Sequence, residues 1–184
     1  MGRVLEEVAL IRHPASACPP VEMCQAIVAQ TGPVSLRVEY SLSGGVSALD
    51  IPALAPPARQ DNLWQTTCFE LFLALEGSAY AEFNFSPSTC WAAYLFDAYR
   101  SGMRPAQGVR PVIAVERSGN RLDVAVELDL APLVPDLNRA LGLSAVIEEQ
   151  DGGKSWWALT HPSEKPDFHL RDCFALQLRA ASGS

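Results

Sequence analysis

Cys68-Phe69-Glu70-Leu71-Phe72-Leu73-Ala74-Leu75, then Glu76-Gly77-Ser78-Ala79, then Tyr80-Ala81-Glu82-Phe83-Asn84-Phe85-Ser86 is the stretch that decides the fold. Cys68 to Leu75 and Tyr80 to Ser86 read as two strands joined by a turn around Gly77 and Ser78. Side chains alternate across a strand, and residues opposite each other in a hairpin point to the same face. A two-residue loop would place Leu73 opposite Glu82 and mix a carboxylate into the apolar set. A three-residue loop, Gly77 to Ala79, pairs Ala74 with Glu82, Phe72 with Asn84 and Glu70 with Ser86. That register gathers Phe69, Leu71, Leu73, Phe83 and Phe85 on one apolar face. It leaves Cys68, Glu70, Phe72, Tyr80, Glu82, Asn84 and Ser86 on the other. The second register is preferred, because three-residue hairpin loops are common and it keeps the core free of charge.

The same periodicity extends outward. Leu36, Val38, Tyr40 and Leu42 alternate with Ser35, Arg37, Glu39 and Ser41, a half-buried strand. Val4 to Ile11 reads as a first strand. Val21 to Gln30 fits a helix or a strand, and Thr31-Gly32-Pro33 ends it. A proline-rich loop runs from Ile51 to Gln60. Trp91 to Tyr99 reads as a strand with Tyr94 and Phe96 on one side and Trp91, Leu95 and Asp97 on the other. Ile113 and Val115 match Leu122, Val124, Val126 and Leu128 across a turn at Ser118-Gly119. Pro132 to Leu141 suggests a short helix. Leu143 to Ile147, Ser155 to Leu159 and Phe174 to Leu178 complete nine to eleven expected strands. No repeat or linker divides the chain. The expected fold is all-β, an antiparallel, jelly-roll-like β-sandwich of one domain (1–184) with one or two short helices.

Fourteen prolines and twelve glycines in 184 residues favour short strands and many turns. The net charge of -7, with no run of Lys and Arg, argues against nucleic acid and against a basic membrane-surface helix. Glu6 and Glu7 stand where an export signal needs an apolar run, so the cytoplasm is the expected compartment. Cys18, Cys24, Cys68, Cys90 and Cys173 are odd in number and widely spaced, and read as small buried hydrophobes. No membrane partner, metal or cofactor is expected, and the sequence leaves the oligomeric state open.

A group of words between Asp61 and Met103 carries a resemblance. They are Asp61-Asn62-Leu63-Trp64, Thr67-Cys68-Phe69-Glu70-Leu71-Phe72, Tyr80-Ala81-Glu82-Phe83-Asn84-Phe85-Ser86-Pro87-Ser88, Trp91-Ala92-Ala93-Tyr94 and Tyr99-Arg100-Ser101-Gly102-Met103. Phe168-His169 followed by Phe174 to Leu178 fits the same pattern. Together they resemble the DOMON-like ligand-binding domains of bacteria, related to the family-nine carbohydrate-binding modules. The resemblance implies a β-sandwich whose concave sheet, or its rim, binds sugars or, in some relatives, haem.

The candidate ligand-binding residues are Trp64, Glu70, Tyr80, Glu82, Asn84, Trp91 and Arg100. Carboxylates and amides hydrogen-bond sugar hydroxyls, and aromatic rings stack on their C–H faces. The plainer reading of Glu70, Glu82 and Asn84 is a solvated sheet face. Trp64 either stacks on a ligand or plugs the sandwich end. Trp156 and Trp157 are adjacent in a strand, so one is core and the other a candidate ring for the ligand face. Arg59 and Arg100 either clamp an anion or pair with Asp61, Glu70 or Glu82. His161 and His169 flank a proline-bounded loop without ligand-type spacing, and loop histidines are the plain reading. The function expected is that of a small-ligand-binding module, with a sugar as the candidate ligand. The alternatives are a haem- or metal-binding domain using His161 or His169, and a glycan-acting enzyme using Glu70 and Glu82. No nucleophile elbow, P-loop or dinucleotide fingerprint favours catalysis, and no catalytic residue is assigned.

Overall fold

The computed structural model describes residues 3–16 and 19–178. Twelve strands form the described part of the chain. They are β1 (Arg3–Arg12), β2 (Val21–Gly32), β3 (Ser35–Gly44), β4 (Cys68–Ala74), β5 (Tyr80–Phe85) and β6 (Trp91–Phe96). Then come β7 (Arg104–Pro105), β8 (Val112–Ser118), β9 (Arg121–Asp129), β10 (Ala140–Glu148), β11 (Lys154–Ala158) and β12 (Leu176–Gln177). They run in the order β7-β6-β5-β4-β10-β11-β1-β2-β3-β9-β8, with β12 beside β10. Every ladder between these strands is antiparallel.

The sheet curls into two layers because β1 belongs to both. Its first part pairs with β2, and Ile11 and Arg12 pair with Ala158 and Trp157 of β11. The layers close on one apolar core. Leu36, Val38, Tyr40 and Leu42 of β3 come from one layer, and Phe69, Leu71, Leu73, Phe83 and Phe85 from the other. All of them are completely buried. A buried side chain of this size stabilises the fold by roughly 2 kcal/mol over an exposed one. Tyr40 locks the layers together: its ring lies 5.0 Å from that of Phe69, and its hydroxyl donates to the Glu70 carbonyl at 2.7 Å.

The all-β expectation holds, with differences that have physical reasons. The β4–β5 loop is Glu76 to Ser78, one residue earlier than expected, so Leu75 N–H donates to the Ala79 carbonyl and Ala74 faces Tyr80. Gly77 takes the central position with φ 62°, a left-handed conformation that glycine adopts without strain. The shift moves the register by two residues, so each side chain keeps its face. Glu70 faces Asn84 rather than Ser86, and Glu82 faces Phe72 rather than Ala74. The ambiguous segment at Val21 is a strand, because its apolar side chains pair with those of β3. The helix expected over 132–141 is absent: Leu133 and Val134 turn back onto Leu130, and β10 begins at Ala140. The only helical pieces among the described residues are 3-10 turns at Val46–Ala48, Leu63–Gln65 and Arg171–Cys173. No helix among them is long and apolar enough to cross a membrane.

One feature of the fold positions the site. Strands β4 and β5 are buried at every position, so their second face is covered as well. Phe168, Cys173 and Phe174, from the chain after β11, join Leu63 in a smaller apolar cluster over Phe72, Tyr80 and Phe96. Gly142 permits this close approach: a side chain there would stand 3.0 Å from Phe174 and 3.1 Å from the Cys173 carbonyl. Cys24, Cys68, Cys90 and Cys173 are buried free thiols, while Cys18 lies outside the described residues.

Candidate functional site

The covering chain does not close over the whole outer face. It leaves a cleft of about 720 Å³ floored by Glu70 and Glu82. Strand parity sends both carboxylates to this face, since the alternate positions of β4 and β5 fill the core. The residues are only 3% and 6% exposed, so what remains of their surface opens into the cleft. Ser144 Oγ donates to Glu70 Oε2 at 3.2 Å, and Asn84 Nδ2 donates to Glu82 Oε1 at 2.7 Å. The second oxygen of each carboxylate has no hydrogen-bond partner among the described residues. Asn84 is itself fixed from below, accepting from Cys68 Sγ at 3.7 Å.

Burial pushes the Glu70 carboxyl well above the usual range, and the charge of Glu82 pushes it further. Burial also raises Glu82, against the opposing pull of Asn84 and Arg100. Neighbouring carboxyls out of water do not ionise independently, so the pair titrates as a unit.

His169 lies beside the pair, with Nε2 3.7 Å from Glu82 Oε2. The Arg100 backbone N–H donates to the Tyr80 hydroxyl oxygen at 3.1 Å, and the same hydroxyl is hydrogen-bonded to His169 Nδ1 at 2.8 Å. Burial, then the nearby Arg100, pushes the imidazole down to about 4, so it is neutral near pH 7. Arg100 is bound elsewhere, to Asp167 at 3.0 Å, and Tyr99 donates to the same carboxylate at 2.5 Å. Burial alone would raise Asp167, but those hydrogen bonds outweigh it and hold the carboxyl below its usual range.

The walls are aromatic. Tyr94 and Phe96 rise from β6, Trp156 from β11 and Phe168 from the covering chain, and Trp64 stands at the edge with half its surface exposed. The Leu63–Gln65 turn presents Trp64, and it starts from Asn62 in a left-handed conformation, φ 65°. Tyr94 donates to Asp61 Oδ1 at 2.5 Å, and Arg59 donates to the same oxygen at 2.8 Å. The Arg59 bond, then the Tyr94 bond, holds Asp61 below its usual range.

The cleft thus brings together Trp64, Glu70, Glu82 and Arg100 of the residues singled out from the sequence. Tyr80 and Asn84 share their face but lie one layer behind the cleft, positioning His169 and Glu82. Trp91 does not join them, which corrects its assignment to the ligand face. It pairs with Phe85 and packs against the main core. The residue of β6 opposite Glu82 is Tyr94, and that opposite Tyr80 is Phe96. Extending the hairpin parity to the next strand would have found both rings. Trp157 is core and donates its indole N–H to Ser155 at 3.0 Å, which leaves Trp156 as the cleft ring. His161 is bonded to the Ile11 carbonyl at 2.6 Å, away from His169. Among the described residues no three His, Cys, Asp or Glu side chains are grouped to hold a metal ion.

An open aromatic cleft with acceptor oxygens at its floor can stack an apolar face and accept hydrogen bonds from hydroxyl or ammonium donors. Comparison with known proteins bears on the fold. No family model matches the chain, and no curated protein matches its sequence. A crystal structure of a "putative carbohydrate-binding protein" from Bacteroides uniformis superposes with a TM-score of 0.68. It is 14% identical and covers 92% of this chain and 84% of its own. The two chains share a fold.

Proposed function

We propose that this chain is a binding module that takes a small polar ligand of the sugar type in the Glu70–Glu82 cleft. The observation that carries this reading is the combination of two buried carboxylates, each with an oxygen facing the cleft, and the indoles of Trp64 and Trp156 in its walls. A pyranose ring has the matching chemistry, with C–H faces for the rings and hydroxyls for the acceptors. The likeness in fold to a protein described in terms of carbohydrate binding supports the same reading. The resemblance to DOMON-like domains and family-nine modules remains part of this proposal.

Calorimetric titration with a panel of neutral mono- and disaccharides tests it. Binding should appear for at least one sugar and weaken about 10-fold or more in both Trp64→Ala and Glu82→Gln, the scale set by losing about 1.4 kcal/mol of contact. If a sugar binds and both variants bind it as the unaltered protein does, the cleft is not the site.

A further inference from the structure

Among the described charged side chains that line the cleft, the two carboxyls on its floor have no ion pair with Lys or Arg, although Arg100 is near enough to act on both and the His169 imidazole stands 3.7 Å from Glu82. Asp61 is paired with Arg59 at 2.8 Å, Asp167 with Arg100 at 3.0 Å, and Lys154 with Glu148 at 3.8 Å. His169 is neutral near pH 7 and supplies no positive charge. Glu70 and Glu82 are the remainder. Both are more than nine-tenths buried, both aim an oxygen into the cleft, and neither has a cationic group within hydrogen-bond distance among the described residues.

A buried negative charge without a partner is costly, and a partner that arrives with the ligand removes that cost. The surroundings specify what kind of partner fits. Tyr94, Phe96, Trp156 and Phe168 present ring faces and edges around the acid pair. Aromatic walls attract an organic cation through its N–H and C–H surface. Asp61, Asn62 and Asp167 also line the cleft, but no three His, Cys, Asp or Glu side chains among the described residues are grouped to hold a metal ion. Burial disfavours the ionised form of both acids, and an ammonium group placed against them would favour it. The overall charge of -7 adds a long-range attraction of the same sign.

We infer that the ligand of this cleft carries a cationic nitrogen, as an amino sugar does, and that its ammonium group seats between Glu70 and Glu82. This rests on the binding-module reading and narrows its ligand class. The ring stacks between the aromatic walls, and the nitrogen donates to the two free carboxylate oxygens.

The test uses matched pairs: methyl glycosides of glucose, galactose and mannose, each against its 2-amino-2-deoxy counterpart. Titrations are run at about pH 6, where an amine is charged. At least one amino sugar should bind 10-fold or more tighter than its neutral partner. Glu70→Gln should erase that preference. A folded variant, judged by its near-ultraviolet circular dichroism, that keeps the preference overturns the inference. If Glu70→Gln does not fold, the comparison on the unaltered protein decides alone. Neutral sugars that bind as tightly as every amino counterpart overturn the inference and leave the sugar reading standing. An amino sugar that binds where no neutral sugar does supports the inference and restricts the reading to amino sugars. If neither class binds, both are overturned.

Discussion

Glu70 and Glu82 are diagonal neighbours on one face of the β4–β5 ladder, because Glu70 faces Asn84 and Glu82 faces Phe72. That diagonal is roughly 7–8 Å between backbones, within reach of two glutamate side chains leaning toward each other. Each acid is held by its own neutral donor, Ser144 or Asn84, and neither is neutralised by a cation bonded to it. The fold thus places a buried acidic pair at the floor of an open cleft.

The pair should make the protein less stable as the pH rises. Both folded-state pKa values lie above those of the unfolded chain. Their favourable contribution is complete below the ordinary carboxylate range and is lost as the pH climbs through the raised values. The Tm should therefore fall as the pH rises from mildly acidic into neutral and alkaline buffer, and Glu82→Gln should flatten that fall. Melting curves across this range check it; an unchanged slope in the variant counts against the shared burial.

His169 should act in the opposite sense and in a different window. Its imidazole is lowered from 6.5 to about 4 in the folded chain. That contribution is full above about 6.5 and is lost as the pH falls toward about 4, where the folded chain must take up the proton. The loss is on the order of 3 kcal/mol. His161 is also lowered by burial, so the informative quantity is the difference between proteins. Denaturant titrations at several pH values should show a shallower acid loss in His169→Gln than in the unaltered chain. Equal losses would place the histidine in water.

The tryptophans should divide by role. Trp157 is buried in the main core, and Trp157→Ala should cost about 3–5 kcal/mol of stability. Trp64 is half exposed, and Trp64→Ala should change stability by less than about 0.5 kcal/mol. Chemical denaturation of the two variants makes the comparison. A large loss from Trp64→Ala would mean that it is structural rather than a free wall of the cleft.

Strand parity made the acidic face legible in the sequence. The alternation of phenylalanines with Glu70, Glu82 and Asn84 assigns their faces whichever of the two even registers is used, and the two-residue shift left that assignment intact. Parity also separates Tyr94 from Trp91 and puts Trp91 on the core face, where its indole has no ligand to stack on. Its partner Phe85 is core. What no local pattern revealed is the cover. His169 and Phe174 lie about 90 to 100 residues along the chain from Phe72 and Tyr80, and their contact with those rings depends on how the sheet curls. The same long-range closure turns an expected solvated face into a buried one with a cleft. The expected helix at Pro132 failed for a related reason: short-range propensity yielded to the packing of Val134 and Leu137 into the core.

The most direct measurement is a titration followed through the indole N–H resonances of the four tryptophans. With a bound sugar or amino sugar, the signals of Trp64 and Trp156 should move together and saturate, while those of Trp91 and Trp157 stay in place. Movement of Trp91 or Trp157 with Trp64 and Trp156 unmoved would contradict the Glu70–Glu82 cleft as the binding site.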